Sequence, residues 1–548
     1  MKKIILATKN IVLVLCTIAS TVAMTSCNDF LDKIPDNRAE VNSVEKINKL
    51  LTDCYPVCSS AFLGEMLSDN VGDYAWFSSN DNFSYGHAQQ QMYKFEDVTP
   101  EDWDTPYWLW TYYYRAVATS NIVLENIKTL NASLDPQEAE ARLCRAYSMM
   151  KLAEVFCMAY DPTKANDYLG LPYPTAVSTE LNPQYERGTL EQLYTNIAND
   201  IEWAIGGQEP RLNENHYSVP KYHFNMRAAY AFAARFYLYY QKWDKAVTYA
   251  TKALGSNPAN MMRDMSALKN QSTSAEDIFN MYINSAENCN LMLMTAYSLA
   301  GRSFASAYAR YNHNTYIDDK DGYSANTIFG MSSQSLWYWP NMLYYSGTQG
   351  PATFFPKLME KFEYADKVSG TGTPHIVDCV FTGDETILVR AEANAIQGNY
   401  QAALDDVNTW VKSHTKESMP LVKRIELTLD TINGWYDNVK RPIEYTDTVP
   451  STSTGQWQTN TSIRKILTPQ GFTITKGDQE NLIQLILHFR RLETMSQGLR
   501  FYDVKRYGIV NIHYVFDSDP IIFHAGDLRG AVQIPLAVSN AGIQKNPR

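Results

Sequence analysis

Residues Thr382–Val407 read TGDETILVRAEANAIQGNYQAALDDV. Thr382 followed by Gly383, Asp384 and Glu385 has the order of a helix N-terminus. A hydroxyl caps the first free N–H groups, and acids occupy the first turn. Ile387, Leu388, Ala391 and Ala395 then return at helical spacing. Gly398 interrupts the run, and Tyr400 opens a second one through Ala403, Leu404 and Val407. The pattern occurs once more upstream. Ala234, Gln241, Trp243, Ala246, Val247 and Ala250 share offsets 0, 7, 9, 12, 13 and 16 with Ala391, Gly398, Tyr400, Ala403, Leu404 and Val407. Small residues at these places let two antiparallel helices approach closely, and the ring after the turn covers the end of the pair.

Such a pair resembles a tetratricopeptide helix–turn–helix unit. The two copies lie 157 residues apart, which excludes a simple tandem array and requires large inserts packed beside the helices. Further starts are predicted at Thr99-Pro100-Glu101-Asp102, Asp135-Pro136-Gln137-Glu138 and Thr189-Leu190-Glu191-Gln192. A long helix from Tyr107 to Leu130, and Arg142 to Tyr160, would supply further pairs. Residues 69–95 and 301–356 are different: rich in Tyr, Trp, Asn, Ser and Gly, with weak periodicity. Residues 441–480, rich in Thr and Ser, read as loops with a short hairpin. Loops on a rigid scaffold are where binding residues concentrate.

Composition narrows the function. Hydrophobic residues make up 45% and charged residues 20% of the 548, which excludes wholesale disorder. A net charge of −11 argues against nonspecific binding to nucleic acid or anionic lipid. Aromatic residues are abundant: Tyr 37, Phe 21 and Trp 11, with Tyr outnumbering Gly at 26. Many of these rings must lie near the surface, where amphipathic rings suit recognition.

At the N-terminus, Lys2, Lys3 and Lys9 precede an apolar stretch from Ile11 to Ala23. It is too short to span a membrane and suits a signal-peptide core. Met24-Thr25-Ser26-Cys27 follows, and small residues before a Cys resemble a bacterial lipoprotein processing site. Residues 1–26 are therefore read as a lipoprotein signal peptide and Cys27 as the lipidated first residue. Its removal takes the charge to −14. Six cysteines remain: Cys54, Cys58, Cys144, Cys157, Cys289 and Cys379. In a chain this long they form no disulfide scaffold and read as buried thiols.

Several motifs, in order, resemble the SusD/RagB family of outer-membrane nutrient-binding lipoproteins of Bacteroidetes. They are Cys27-Asn28-Asp29-Phe30-Leu31-Asp32, Glu65 to Asn70, Trp108 to Ile127, Leu169-Gly170-Leu171-Pro172-Tyr173 and Phe381 to Tyr400. Arg490, Arg491, Glu493, Gly498, Arg500, Asp503 and Arg506 follow, with two family acids replaced by Phe489 and Gln497. Ile534-Pro535, Asn540 and Gln544 to Pro547 close the chain. The resemblance implies a mainly α, SusD-like fold, in which helix pairs form a scaffold and loop inserts carry the ligand surface. It divides the chain into residues 1–26, a lipid-anchored linker at 27–40, and one SusD-like domain at 41–548, with halves at about 41–215 and 216–548.

Catalytic motifs are absent: no His-Glu-x-x-His, Gly-x-Ser-x-Gly or Walker pattern occurs. Asp319-Lys320-Asp321-Gly322 has the look of a calcium loop, but Ile317 and Ile328 occupy its first and twelfth ligand positions. The Arg-rich segment reads as ion pairs between packed helices. No catalytic residue, metal ligand or cofactor is expected, and no nucleic acid partner. A sugar site wants flat rings beside amides and acids. Tyr74, Trp76, Phe77, Asn80 and Asp81 offer that mixture early in the chain; Tyr311, Asn314, Trp337, Trp339 and Tyr344 offer it in mid-chain. The family's glycan contacts come broadly from these two regions.

The resemblance implies an outer-membrane, surface-exposed lipoprotein that captures a glycan oligomer and passes it to a SusC-type TonB-dependent transporter. Peptide or glycopeptide capture by the same fold is the alternative; an exported hydrolase or a purely structural scaffold are others. The N-terminal reading is directly testable. Mass spectrometry of the native protein should show an acylated Cys27, and Cys27→Ala should release the chain from membranes. A Ser or Asn start without lipid would refute the assignment.

Overall fold

The computed structural model describes residues 41–548, except 77–84, 131–132, 179, 181–183, 214–216, 272–273, 307–308, 314–316, 319–321, 324, 326, 331–333, 340–343, 346–352, 439–462 and 517. The signal, anchor and linker assigned to 1–40 lie outside the described residues. The frame is helical. In chain order it consists of α1 (Pro106–Thr129), α2 (Asp135–Phe156), α3 (Leu190–Ile205), α4 (Met226–Tyr239), α5 (Trp243–Leu254), α6 (Gly383–Ile396), α7 (Tyr400–His414), α8 (Asp478–Thr494) and α9 (Arg500–Tyr507).

The two matching segments form the pairs α4–α5 and α6–α7, and they dock on each other through α5 and α6. Arg390 on α6 donates to Thr251 Oγ1 on α5 at 3.2 Å, and Gln397 donates to Asp244. Both pairs turn through a left-handed residue at the same offset: Gln241 (φ 58°) and Gly398 (φ 81°). Glycine takes this conformation freely, whereas a side chain costs about 1–2 kcal/mol there. Gln241 offsets that cost by donating to the carbonyls of Tyr160 and Gln470, both at 2.8 Å. A second set of helices, α1 on α2 and α2 on α3, completes the frame.

Caps decide where these helices begin. Thr382 Oγ1 accepts from the Glu385 N–H at 3.1 Å. Thr189 and Gln192 exchange both bonds of a capping box. The start expected at Thr99 does not occur. Thr99 instead donates its N–H to Gln91 at 3.0 Å, and the Thr-Pro pair six residues on, Thr105-Pro106, opens α1. Asp135 lies inside α2 and makes no side-chain cap; Glu138 pairs with Arg142 at 2.7 Å rather than closing a box.

Five strands connect the inserts to this frame: β1 (Gly72–Asp73), β2 (Asn290–Ala296), β3 (Tyr311–Asn312), β4 (Lys361–Asp366) and β5 (Thr371–Thr382). β2, β5 and β4 make an antiparallel sheet in that order, with Asn290 opposite Thr382 and Lys361 opposite His375. β5 therefore delivers the chain straight into the α6 cap. The hairpin expected within 441–480 is not found among its described residues, which run irregularly from Ile463 into α8. Thr468 and Gln470 there donate to the Tyr507 and Arg506 carbonyls at 2.7 and 2.9 Å. The six mature cysteines are buried and unpaired.

The Arg-rich segment is the ionic core. Arg490 on α8 is wholly buried and donates to Glu385 and Asp503, both at 3.2 Å, with Glu392 at 3.3 Å. Arg506 on α9 reaches Glu392 at 2.8 Å and Asp503 at 2.6 Å; Arg235 on α4 reaches Glu385 at 3.1 Å. Burial alone would raise the Asp503 carboxyl, but Arg490 and Arg506 hold it below the ordinary carboxylate range. Removing one partner strands the others in the interior. Arg490→Ala should therefore destabilise the protein by about 3–5 kcal/mol, read from urea denaturation. A loss under about 1 kcal/mol would show that the network does not hold the helices together.

Candidate functional site

The two regions expected to carry the ligand surface are bonded to each other. β1, from the early segment, pairs with β3, from the mid-chain segment, with Gly72 opposite Asn312 and Asp73 opposite Tyr311. The Tyr74 N–H extends the ladder to the Arg310 carbonyl at 2.6 Å. Sequence reasoning proposed the regions but had no means of showing that they meet.

Asp73 is the pin. It is 1% exposed, and its oxygens accept four bonds. Oδ1 accepts from Ala75 N at 3.0 Å and Arg310 Nε at 2.9 Å; Oδ2 accepts from Arg310 Nη2 at 2.8 Å and Phe516 N at 3.0 Å. One carboxylate thus fixes three segments widely separated in sequence. Tyr93 supports them from below. Its hydroxyl accepts from Asp73 N at 3.1 Å and donates to the Tyr514 carbonyl at 3.0 Å. Its ring stacks on His513 at 4.3 Å and leans on Tyr311 at 4.6 Å. Burial holds the His513 imidazole below its ordinary range; its ring nitrogens sit 2.6 Å from the Tyr93 carbonyl and 2.9 Å from the Ser68 carbonyl.

On this foundation stand two exposed rings. Tyr85 is 43% exposed, lies edge-on to Tyr311 at 6.0 Å and carries the Arg310 guanidinium 5.0 Å from its centre. Phe516 is 45% exposed, and its backbone is held by Asp73. Arg310, half-buried beside Tyr85, has its charge directed by the bidentate pair with Asp73. An exposed ring beside a guanidinium can stack on an apolar face and donate to a hydroxyl, and Phe516, held by the same carboxylate as Arg310, adds a second exposed ring.

The predicted site residues divide into two groups. Tyr74, Tyr311, Trp337 and Trp339 are buried, with exposures of 4%, 3%, 0% and 2%. None offers a free face, so the expectation of exposed stacking rings fails at these four. Trp337 lies among Phe329 (5.3 Å), Trp410 (5.6 Å) and Phe489 (5.6 Å), and bridges Thr415 at the end of α7. Trp339 packs on Tyr323 at 6.1 Å and Phe355 at 6.2 Å. Trp337 thus glues the insert to α7 and α8, while Trp339 packs inside the insert and against Tyr282 at 6.4 Å. Phe77, Asn80, Asp81 and Asn314 lie outside the described residues, as do the side chains of Trp76 and Tyr344.

Tyr85, Arg310 and Phe516 were not singled out from sequence. Tyr85 lay within a stretch already marked as aromatic and polar. Phe516 lay in neither region, and no spacing pointed to it. The Asp319 to Gly322 stretch falls mostly outside the described residues. Asp384, His414 and Glu493 are a buried cluster that could gather metal-ligand atoms. His414 Nε2 lies 3.0 Å from Glu493 and 3.8 Å from Asp384. However, Trp410 Nε1 donates to Glu493 at 3.1 Å and the Arg263 N–H to Asp384 at 2.9 Å, while Lys357 donates to the Glu493 carbonyl. Burial pushes the Asp384 carboxyl up to about 6. N–H donors of the protein thus reach both carboxylates, while Asp384 Oδ2 is buried without a hydrogen bond among the described residues.

Known proteins share both the sequence pattern and the fold. A family model named SusD-like and described as starch-binding associating with outer membrane matches residues 29–238. A SusD-like carbohydrate binding protein from Bacteroides vulgatus superposes with TM-score 0.60 at 14% identity, covering 91% of this chain and 96% of its own. A SusD superfamily protein from Bacteroides thetaiotaomicron gives 0.58 at 18%, covering 92% and 100%. One from Bacteroides fragilis gives 0.55 at 16%, covering 90% and 96%. No curated protein matches the chain.

Two substitutions test the geometry. Trp337→Ala empties a packed aromatic site and should cost about 3–5 kcal/mol of stability. Asp73→Ala leaves Arg310 unpaired and frees three backbone segments; it should cost about 3 kcal/mol or more. It should also raise hydrogen exchange locally at 72–75, 310–312 and 514–516. Unchanged denaturation midpoints would contradict both assignments.

Proposed function

We propose that this chain, a SusD-like protein by its family match and its fold, captures an oligosaccharide on the surface built by Tyr85, Arg310 and Phe516. The observation that carries the reading is the joining of β1 to β3 under two exposed rings. Sugar rings present apolar C–H faces and peripheral hydroxyls. Tyr85 and Phe516 supply apolar platforms for the former, and Arg310 supplies donors for the latter. Trp76, Phe77, Asn80, Asp81, Asn314 and Tyr344 flank these segments in sequence and belong to the same proposal. The matched family's description and the carbohydrate-binding relative support a glycan over a peptide.

The same reading puts the chain at the outer membrane, held through a lipid on Cys27 and passing its cargo to a SusC-type transporter. The family description's association with the outer membrane supports the location. Among the described residues no helix is long and apolar enough to cross a membrane. Binding without turnover is the chemistry these residues support. An arginine at neutral pH is neither acid nor base, and Asp73 spends its oxygens on structural bonds.

Stacking on one or two rings, set against the ordering of a flexible oligomer, gives modest affinity. Dissociation constants between about 1 μM and 1 mM are expected, which permits release to a transporter. On a glycan array followed by calorimetry, Tyr85→Ala and Phe516→Ala should each weaken binding about tenfold, or about 1.4 kcal/mol. Both rings are partly exposed, so the melting temperature should stay nearly constant. Retained affinity in the double variant would place the glycan elsewhere. Cleavage products from a bound oligosaccharide would instead establish a hydrolase.

A further inference from the structure

A second concavity lies apart in sequence from the ring-flanked surface. Between the segment around Ser218–Arg227 and the turn around Ser285–Leu291 there is an open cleft of about 650 Å³. That volume falls within the range of small-ligand sites. Its wall includes half-buried Lys221 and exposed Arg227, Asn260 and Asn288. Among the described residues no carboxylate lines it, in a chain whose net charge is −11.

The polar groups of the wall are of two kinds. Asn225 and Asn290 are spent on the fold. Asn225 caps α4 by accepting from Ala228 N at 3.0 Å and donates to the Leu291 carbonyl at 2.8 Å. Asn290 donates to the Tyr282 carbonyl at 2.7 Å and accepts from Arg263 at 2.6 Å. The side chains of Asn260 and Asn288, by contrast, make no hydrogen bond among the described residues. Nor does either cation form an ion pair there. Lys221 donates to the Glu287 backbone carbonyl. Arg227 Nη1 donates to the Ala253 carbonyl at 2.8 Å and meets Met261 Sδ at 3.2 Å, leaving its remaining N–H groups unengaged among the described residues. Burial holds the Lys221 ammonium below its ordinary range, with Glu287 the nearby carboxylate that opposes this. An anion in the cleft would oppose it further.

We propose that this cleft is a second binding site that takes a carboxylate-bearing saccharide unit, a hexuronate in the chemical sense. The Arg227 fork and the Lys221 ammonium match the carboxylate. The amides of Asn260 and Asn288 match ring hydroxyls, and Val219, Met261 and Leu291 provide an apolar wall for the ring. The choice of a saccharide over other anions rests on the proposed carbohydrate function of the chain; the charge of the cleft does not.

Calorimetry on the mature chain with trigalacturonate, and with its neutral methyl ester, tests this. The acid should bind at least tenfold tighter than the ester, and added salt should weaken it. Arg227→Ala and Lys221→Ala should each weaken the acid at least tenfold. Both charged side chains reach solvent, so the melting temperature should hold; circular dichroism of each variant checks this. Equal binding of acid and ester, no binding of the acid, or wild-type affinity in the Arg227→Ala Lys221→Ala double variant would overturn the site. Competition by inorganic sulfate at the same concentration as the sugar acid would overturn the saccharide assignment. If neutral glycans still bind through Tyr85 while the acid fails, only this inference falls. If the acid binds through Arg227 and no neutral glycan binds, the ring-flanked surface falls alone.

Discussion

Arg490 has no access to water, and a guanidinium cannot shed its proton to escape a dry interior. It must be surrounded by carboxylates, and the fold is arranged around that requirement. Glu385 and Glu392 come from α6 and Asp503 from α9, while Arg235 on α4 and Arg506 on α9 balance the acids. Both repeated helix pairs are thereby tied to the C-terminal helices. The tie constrains more than it stabilises, because the desolvation of so many charges consumes most of their attraction. Its effect is to permit one relative placement of α4, α6, α8 and α9, in which each charge has a partner.

The same segment reaches outward to the candidate site. Arg491, the neighbour of Arg490, donates to Asn70 Oδ1 at 2.8 Å and to the Asp69 carbonyl at 2.7 Å. Arg500 grips the Asp69 carboxylate at 2.7 and 2.9 Å. Glu65 accepts from the Gly498 N–H at 2.8 Å and sits 2.8 Å from His313. Glu65, Asp69 and Asp73 succeed one another at intervals of four along the chain, and each bonds to segments distant in sequence. The last of them, Asp73, holds Arg310 and Phe516. The site is therefore an extension of the ionic core to the surface, and its rings sit on a base that does not need a ligand to form.

Aromatic residues serve both purposes in this molecule, and burial separates them. Trp337 and Trp339 stand in a loop-like sequence full of amides, yet Trp337 fills the space between the insert and α7–α8 and Trp339 packs on Tyr323, Phe355 and Tyr282. The described residues of the insert at 301–356 make few backbone ladders, so large side chains fix them to the frame. Tyr85 and Phe516 look no different in sequence. Tyr85 lies over Tyr311, whose ring rests on Tyr93 and, through it, His513, so the space beneath Tyr85 is already filled.

What the sequence alone determined was local or repeated. Capping residues at Thr189 and Thr382, small-residue spacing in the two helix pairs, and buried thiols follow from short-range chemistry that a linear reading sees. The Arg-rich segment could be read as structural because arginines without a phosphate loop have few other uses. Only the tertiary structure decided which of two Thr-Pro pairs opened α1, since Gln91 competes for Thr99 from outside the helix. It also decided which rings face water and that β1 meets β3. Those outcomes depend on contacts between residues such as Asp73 and Arg310, 237 positions apart, and exposure is a property of what lies on top of a side chain, which no spacing along the chain encodes.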